Sequence, residues 1–174
     1  MRTTSRILIL LLASCAPAEF INPLTLPDLA TADKALVGEW KEVGGNDLRV
    51  KVSIKTGGVM SFVLPFKGKA SERFDGHVTM VGTMKVLNLR AVGGELESGR
   101  YLYARYELSK EGLATFWLMS DSTFRQAVEA GTLKGVSTGS PGSLIVSDTP
   151  ENVLRFIKAQ QSEALWDKFA VFSR

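Results

Sequence analysis

Cys15 is the only cysteine and His77 the only histidine of the 174 residues, so thiol or imidazole chemistry has one place each to happen. Gly135-Val136-Ser137-Thr138-Gly139 has the Gly-x-Ser-x-Gly spacing of a hydrolase nucleophile, which needs a strand before the serine, a helix after it and a histidine further along the chain. Here Ser140-Pro141-Gly142 and another strand pattern follow, and His77 comes earlier, so the segment reads as a polar hairpin loop. Glu72, Asp75 and His77 gather two carboxylates and an imidazole within six residues, a set able to hold a divalent metal. Glu72 and Asp75 flank Gly76, however, and a turn bearing solvated charges explains them without one. Glu39, Glu42 and Glu107 fall on strand patterns, where paired acids for glycoside chemistry and plain solvated acids look alike. The pairs Gly44-Gly45, Gly57-Gly58 and Gly93-Gly94 never lead into a lysine and a helix as a phosphate loop does. The expectation is a protein that is not an enzyme, with no catalytic residue, no metal and no cofactor.

Cys15 has a more informative setting. Arg2 and Arg6 precede the apolar run Ile7 to Leu12, and small residues follow, which is the build of a secretory signal peptide too short to span a bilayer. Leu12-Ala13-Ser14-Cys15 resembles the lipobox of bacterial lipoproteins. The resemblance implies removal of residues 1–14 as a signal peptide and acylation of Cys15 with palmitate-type chains. It further implies a cell-envelope location, with the membrane as partner through the N-terminal lipid. Because Ala16 rather than aspartate follows, it implies the periplasmic side of the outer membrane in a host with two membranes. One acyl chain holds a protein only marginally, whereas several give a stable anchor. The other reading is an ordinary leader cut near Ala18. A lone cysteine also leaves no partner for an intramolecular disulfide.

Of the 21 basic residues the leader takes two, leaving 19 against 18 acidic ones. A nearly neutral chain with no dense Lys/Arg run gives no reason to expect nucleic acid as a partner. Residues 15–33 carry Pro17, Pro23 and Pro27, which stop helix and central strand alike. That stretch reads as an acylated N-terminus and tether of at most about 60 Å, with Phe20, Ile21, Leu24 and Leu26 able to pack part of it on the domain. Residues 34–174 form one domain of a length that buries a full core.

From Leu36 onward the pattern has period two. Residues 49–55 alternate without a fault, which puts Val50, Val52 and Ile54 inward. Further strands read at 59–63, 77–82, 85–92, 100–109 and 113–119, with turns at Thr56-Gly57-Gly58, Asp75-Gly76, Gly93-Gly94 and Lys110-Glu111-Gly112, so neighbours should pair antiparallel. The strand over 113–119 is apolar on both faces and needs two covers. One is the sheet interior and the other a helix from Pro150, capped by Thr149, with a stripe of Val153, Leu154 and Ile157. A second helix is expected from a capping box at Thr123 and Gln126 to Gly131. Short strands at 133–137 and 143–147 and a last strand at 169–173 complete the order.

Gly38-Glu39-Trp40 opens the first strand, and this Gly-x-Trp resembles the start of lipocalin-like domains. The resemblance implies a tryptophan closing one end of an up-and-down antiparallel barrel, with a late helix packed outside. The stretches 124–135 and 149–156 are also similar to parts of small bacterial lipoproteins of unassigned chemistry. The expected fold is mainly β: a lipocalin-like antiparallel barrel, or strongly curved sheet, with two short helices packed outside. Trp40, Phe62, Tyr101, Tyr103 and Trp117 are the candidate ligand-binding residues. Two functions fit: binding of an apolar or amphipathic small molecule, or a protein-interaction module of an envelope assembly with no small ligand.

Overall fold

Alternating apolar side chains make strands that bury one face, and eight such strands close on themselves here. The computed structural model describes residues 17–26, 31–45, 47–65, 70–92, 99–137, 144–160 and 163–174. The lipobox and Cys15, the Gly93-Gly94 turn and the Thr138 to Gly142 loop lie outside these residues. The strands are β1 (Glu19–Phe20), β2 (Gly38–Glu42), β3 (Arg49–Ile54), β4 (Met60–Leu64), β5 (Glu72–Val81), β6 (Met84–Ala91), β7 (Tyr101–Leu108), β8 (Leu113–Met119), β9 (Gly135–Ser137), β10 (Leu144–Val146) and β11 (Trp166–Ser173). Strands β2 to β8 form an antiparallel meander, and β11 pairs with both β8 and β2, closing an eight-stranded barrel. The chain is therefore mainly β with a lipocalin-like barrel. Closure removes the sheet edges that an open curved sheet would leave unpaired.

Two helices lie in the connection from β8 to β11: α1 (Asp121–Glu129) and α2 (Pro150–Gln160). Thr149 caps α2, accepting from the Asn152 amide at 3.3 Å, as its sequence suggests. The start of α1 differs from the expectation. The helix begins at Asp121 after Ser120, and Thr123 instead donates to the Ala164 carbonyl at 3.2 Å. Val153 and Ile157 of α2 share a buried cluster with Phe124 and Ala127 of α1 and with Met119 and Trp166 on the outer barrel wall. They supply the second cover that the doubly apolar β8 requires. No helix among the described residues is long and apolar enough to cross a membrane.

The proline-containing N-terminal segment is laid along the barrel rather than held off it. Ala18, Phe20 and Leu24 are buried while Ile21 and Leu26 are exposed. Strand β1 pairs with the first residue of β7 and runs parallel to β10, which pairs with β9. Further on, Thr31 bridges to Val78 at the part of β5 that β4 does not reach.

The Asp75-Gly76 turn expected from sequence is absent, because both residues lie inside the ten-residue β5. Gly76 is there for space. A Cβ on it would come within 2.8 Å of a Leu89 methyl and 3.0 Å of the Phe62 ring, so the glycine leaves room for the Phe62 ring over the neighbouring β5.

Candidate ligand site

The two barrel ends are built differently. At the end holding the turns 55–59, 82–83 and 109–112, the chain enters through a short 3-10 turn at Lys34–Leu36, and fully buried Leu36 plugs the interior. Trp40 Nε1 donates to the Leu36 carbonyl at 2.7 Å, and the Arg174 guanidinium lies 4.8 Å from the centre of the Trp40 ring while donating to the Ala35 carbonyl. Asp33 caps the turn by accepting from the Ala35 amide at 2.9 Å, and it also accepts from Lys85 Nζ and the Tyr106 hydroxyl, each at 2.7 Å. Those three donors hold the Asp33 carboxyl below its ordinary value against the opposing effect of burial. Burial and the nearby Asp33 charge push the Tyr106 phenol up, so it stays a neutral donor. This end is sealed, and Gly38-x-Trp40 is at the seal.

Above the seal lies an aromatic floor. Tyr106 stacks on Phe116 at 5.9 Å, and Phe116 meets Phe172 edge-on at 5.7 Å. Trp40, Met60, Phe62 and Leu87 are buried in the same cluster. Toward the other end the inward side chains Val50, Leu64, Phe74, Leu89 and Leu118 pack on that cluster but are only half-buried. Half-burial is not confined to that end, the mouth where residues 43–48, 65–71 and 92–100 connect the strands, because Leu108 and Phe116 are half-buried too, while Leu48 and Ala91, near the connections 43–48 and 92–100, are buried. A closed barrel lined by apolar side chains is compatible with acting as a cup that binds an apolar small molecule.

The five candidate residues divide between the two faces of the wall. Trp40 and Phe62 point into the barrel. Tyr101, Tyr103 and Trp117 point out of it, as alternation along β7 and β8 dictates, and belong to the cluster under the N-terminal segment and helices. Tyr103 stacks on Phe20 at 3.9 Å and donates to the Asn22 carbonyl at 2.5 Å. The Arg105 guanidinium lies 4.8 Å from the centre of the Trp117 ring and forms ion pairs with Glu107 and Glu163. A shallow outer cleft of about 450 Å³ opens beside Arg105, lined by Met84, Ile157, Leu165 and Trp166 among others. No single pocket gathers all five.

The groups weighed for catalysis and metal binding are likewise dispersed. Asp75 faces outward to Lys55 at 2.6 Å, and Glu72 shares the opposite, inward face with Phe74. Ser137 lies on β9 and receives a hydrogen bond from Arg125. Glu39 pairs outward with Lys51 at 3.6 Å.

His77 is buried and its Nε2 lies 2.8 Å from the Thr25 carbonyl, which only accepts. Nε2 therefore carries a proton and donates to that carbonyl, and burial lowers the ring's pKa below the ordinary 6.5, against the opposing hydrogen bond. The unfolded chain takes up this proton first as pH falls. Stability is accordingly complete above about pH 6.5 and is lost as pH drops through the folded value. Thermal melts between pH 8 and 5 should be level and then decline, and His77→Gln should flatten the decline. The losses from Asp33 and Asp148, whose pKa values lie below the ordinary 3.8, come only in stronger acid.

Comparison of the chain with protein-family models, with curated proteins and with solved structures finds no match.

Proposed function

We propose that the protein is a lipoprotein of the cell envelope, anchored through acylated Cys15 at the outer membrane of a two-membrane host, whose barrel takes up an apolar or amphipathic small molecule. The observation that supports the binding reading is the apolar interior of the closed barrel, where half-buried Val50, Leu64, Phe74, Leu89 and Leu118 pack on the buried cluster around Trp40 and Tyr106. A docking module would need exposed aromatic anchors, and Tyr101 and Tyr103 are the outward-facing tyrosines of β7. Both are buried under the chain's own N-terminal segment, which leaves that reading without its surface.

An uncharged apolar dye should bind saturably at one site per chain and persist in moderate salt, since burial of apolar surface is not screened as charge pairs are. Trp40, the one inward-facing tryptophan, should change its emission with it. Leu118→Gln at the mouth should weaken the dye, and the absence of any saturable site would refute the cup. For the anchor, labelled palmitate fed to the bacterium should enter the wild type and not Cys15→Ala. Equal labelling of both would refute acylation.

A further inference from the structure

The covered part of the outer wall is built in two ways. Val81 and Met119, which share a buried cluster with Val153 and Ile157 of α2, are apolar. Where residues 22–25 of the N-terminal segment cross the wall, it is polar. His77, Thr79 and Asn88 stand together on the outward face of β5 and β6, with His77 opposite Asn88 in the register, and all three are buried. The wall holds the segment largely by its backbone. The Leu24 amide donates to Asn88 Oδ1 at 2.7 Å, His77 Nε2 donates to the Thr25 carbonyl at 2.8 Å, and the Tyr103 hydroxyl donates to the Asn22 carbonyl at 2.5 Å. The Thr25 and Thr79 hydroxyls share a further bond at 2.7 Å.

A cover that never leaves is served better by an apolar wall, because a buried polar group gains little even when it finds a partner. Side chains that bond a backbone in one state and water in the other suit a cover that comes off. The rest of the fold stands without it. Closure runs through β2 to β8 and β11, and β1 adds two residues paired with the first residue of β7 and with β10. Strands β9 and β10 also lie against α1. Opening the segment therefore breaks no pairing among the eight barrel strands.

We propose that residues 17–26 form a releasable strap that sets how far the barrel stands from its anchored end. Docked, the strap keeps Pro17 near the mouth rim. Released as far as Thr31, which bridges to Val78, it becomes a leash of about 50 Å at full extension. The docked state suits loading at the lipid surface and the released one delivery away from it. The leash rests on the lipoprotein reading, whereas the release does not.

Hydrogen exchange of the full-length Cys15→Ser chain, stepped through urea below its unfolding transition, reads the release. The Ile21 and Leu24 amides, bonded to the Val146 carbonyl and to Asn88 Oδ1, should share one opening free energy and exchange about a hundredfold faster than the β8 amides. Their rates should barely respond to urea, because little surface opens, and the backbone amide of Asn88 should keep the protection of the barrel. Strap amides that follow the rate and urea slope of β8 overturn the release. Separate opening free energies at the two amides, the mark of fraying from the chain end, overturn it as well. For the leash, neutron reflectometry of the acylated chain on a supported phosphatidylethanolamine bilayer should find the barrel against the surface. Phe20→Asp, which cannot fill the place between Tyr103 and Phe124, should move it outward by tens of ångströms. Protected β8 amides check that this variant folds, and Leu24→Pro, which withdraws the amide held by Asn88, takes its place if it does not. A folded variant whose barrel stays at the surface overturns the leash. A chain that takes up no lipid fells the leash together with the anchor, and the exchange result then decides the strap by itself.

Discussion

Phe20→Ala is expected to lower the unfolding free energy by about 3–5 kcal/mol, the range for deleting a well-packed aromatic core side chain. Phe20 is 1% exposed, stacks on Tyr103 at 3.9 Å and meets the Phe124 ring edge-on at 5.2 Å. It is therefore the contact at which the N-terminal segment, β7 and α1 converge. The cavity left by alanine cannot collapse easily, because two of its walls belong to a closed barrel and a helix. Urea unfolding followed by tryptophan emission measures the loss. A change below about 1 kcal/mol, the scale of a surface substitution, would mean that the segment contributes little to the fold.

Asn88→Ala should cost about 2–4 kcal/mol, because it strands more than one buried group rather than removing a single bond. Asn88 is fully buried on the outer wall. Its Oδ1 accepts from the Leu24 amide at 2.7 Å, and its Nδ2 donates to the Thr79 hydroxyl at 2.8 Å and the His77 carbonyl at 3.3 Å. Alanine leaves the Leu24 N–H without a partner, and local opening of residues 22–26 should follow. Hydrogen exchange at the Leu24 amide should accelerate far more than exchange in β8, which does not touch Asn88. Uniform acceleration would point instead to global destabilisation alone.

Period-two alternation made the barrel wall legible, together with the inward face of Val50 and Val52, whereas Ile54, expected inward with them, is exposed at the end of β3. The doubly apolar β8 called for a helix outside, and Val153 and Ile157 of α2 lie in the same buried cluster as its Met119. Closure was not legible, because it depends on Phe172 pairing with Glu42 across almost the whole chain, and local pattern carries no such information. Gly76 read as a turn because glycine after aspartate usually marks one. Its actual cause, room for Phe62, is a tertiary contact. That misreading also hid Glu72, which as a turn residue would be solvated but as a strand residue faces the barrel mouth. Alternation along β7 puts Tyr101 and Tyr103 on one face. Their cover, a segment with prolines at 17 and 23, has no regular pattern to announce it.

The entry point of the N-terminal segment has a consequence for where the cup opens. Strand β1 joins β7 at Tyr101, its first residue, on the same rim as the mouth, and Ala18 is already fully buried there. If Cys15 carries lipid, only Ala16 separates it from Pro17, a reach of about 7 Å at full extension. Such a barrel would rest with its opening against the headgroups. An amphiphile leaving the bilayer could then pass into it by a short hop, with little of its chain exposed to water on the way.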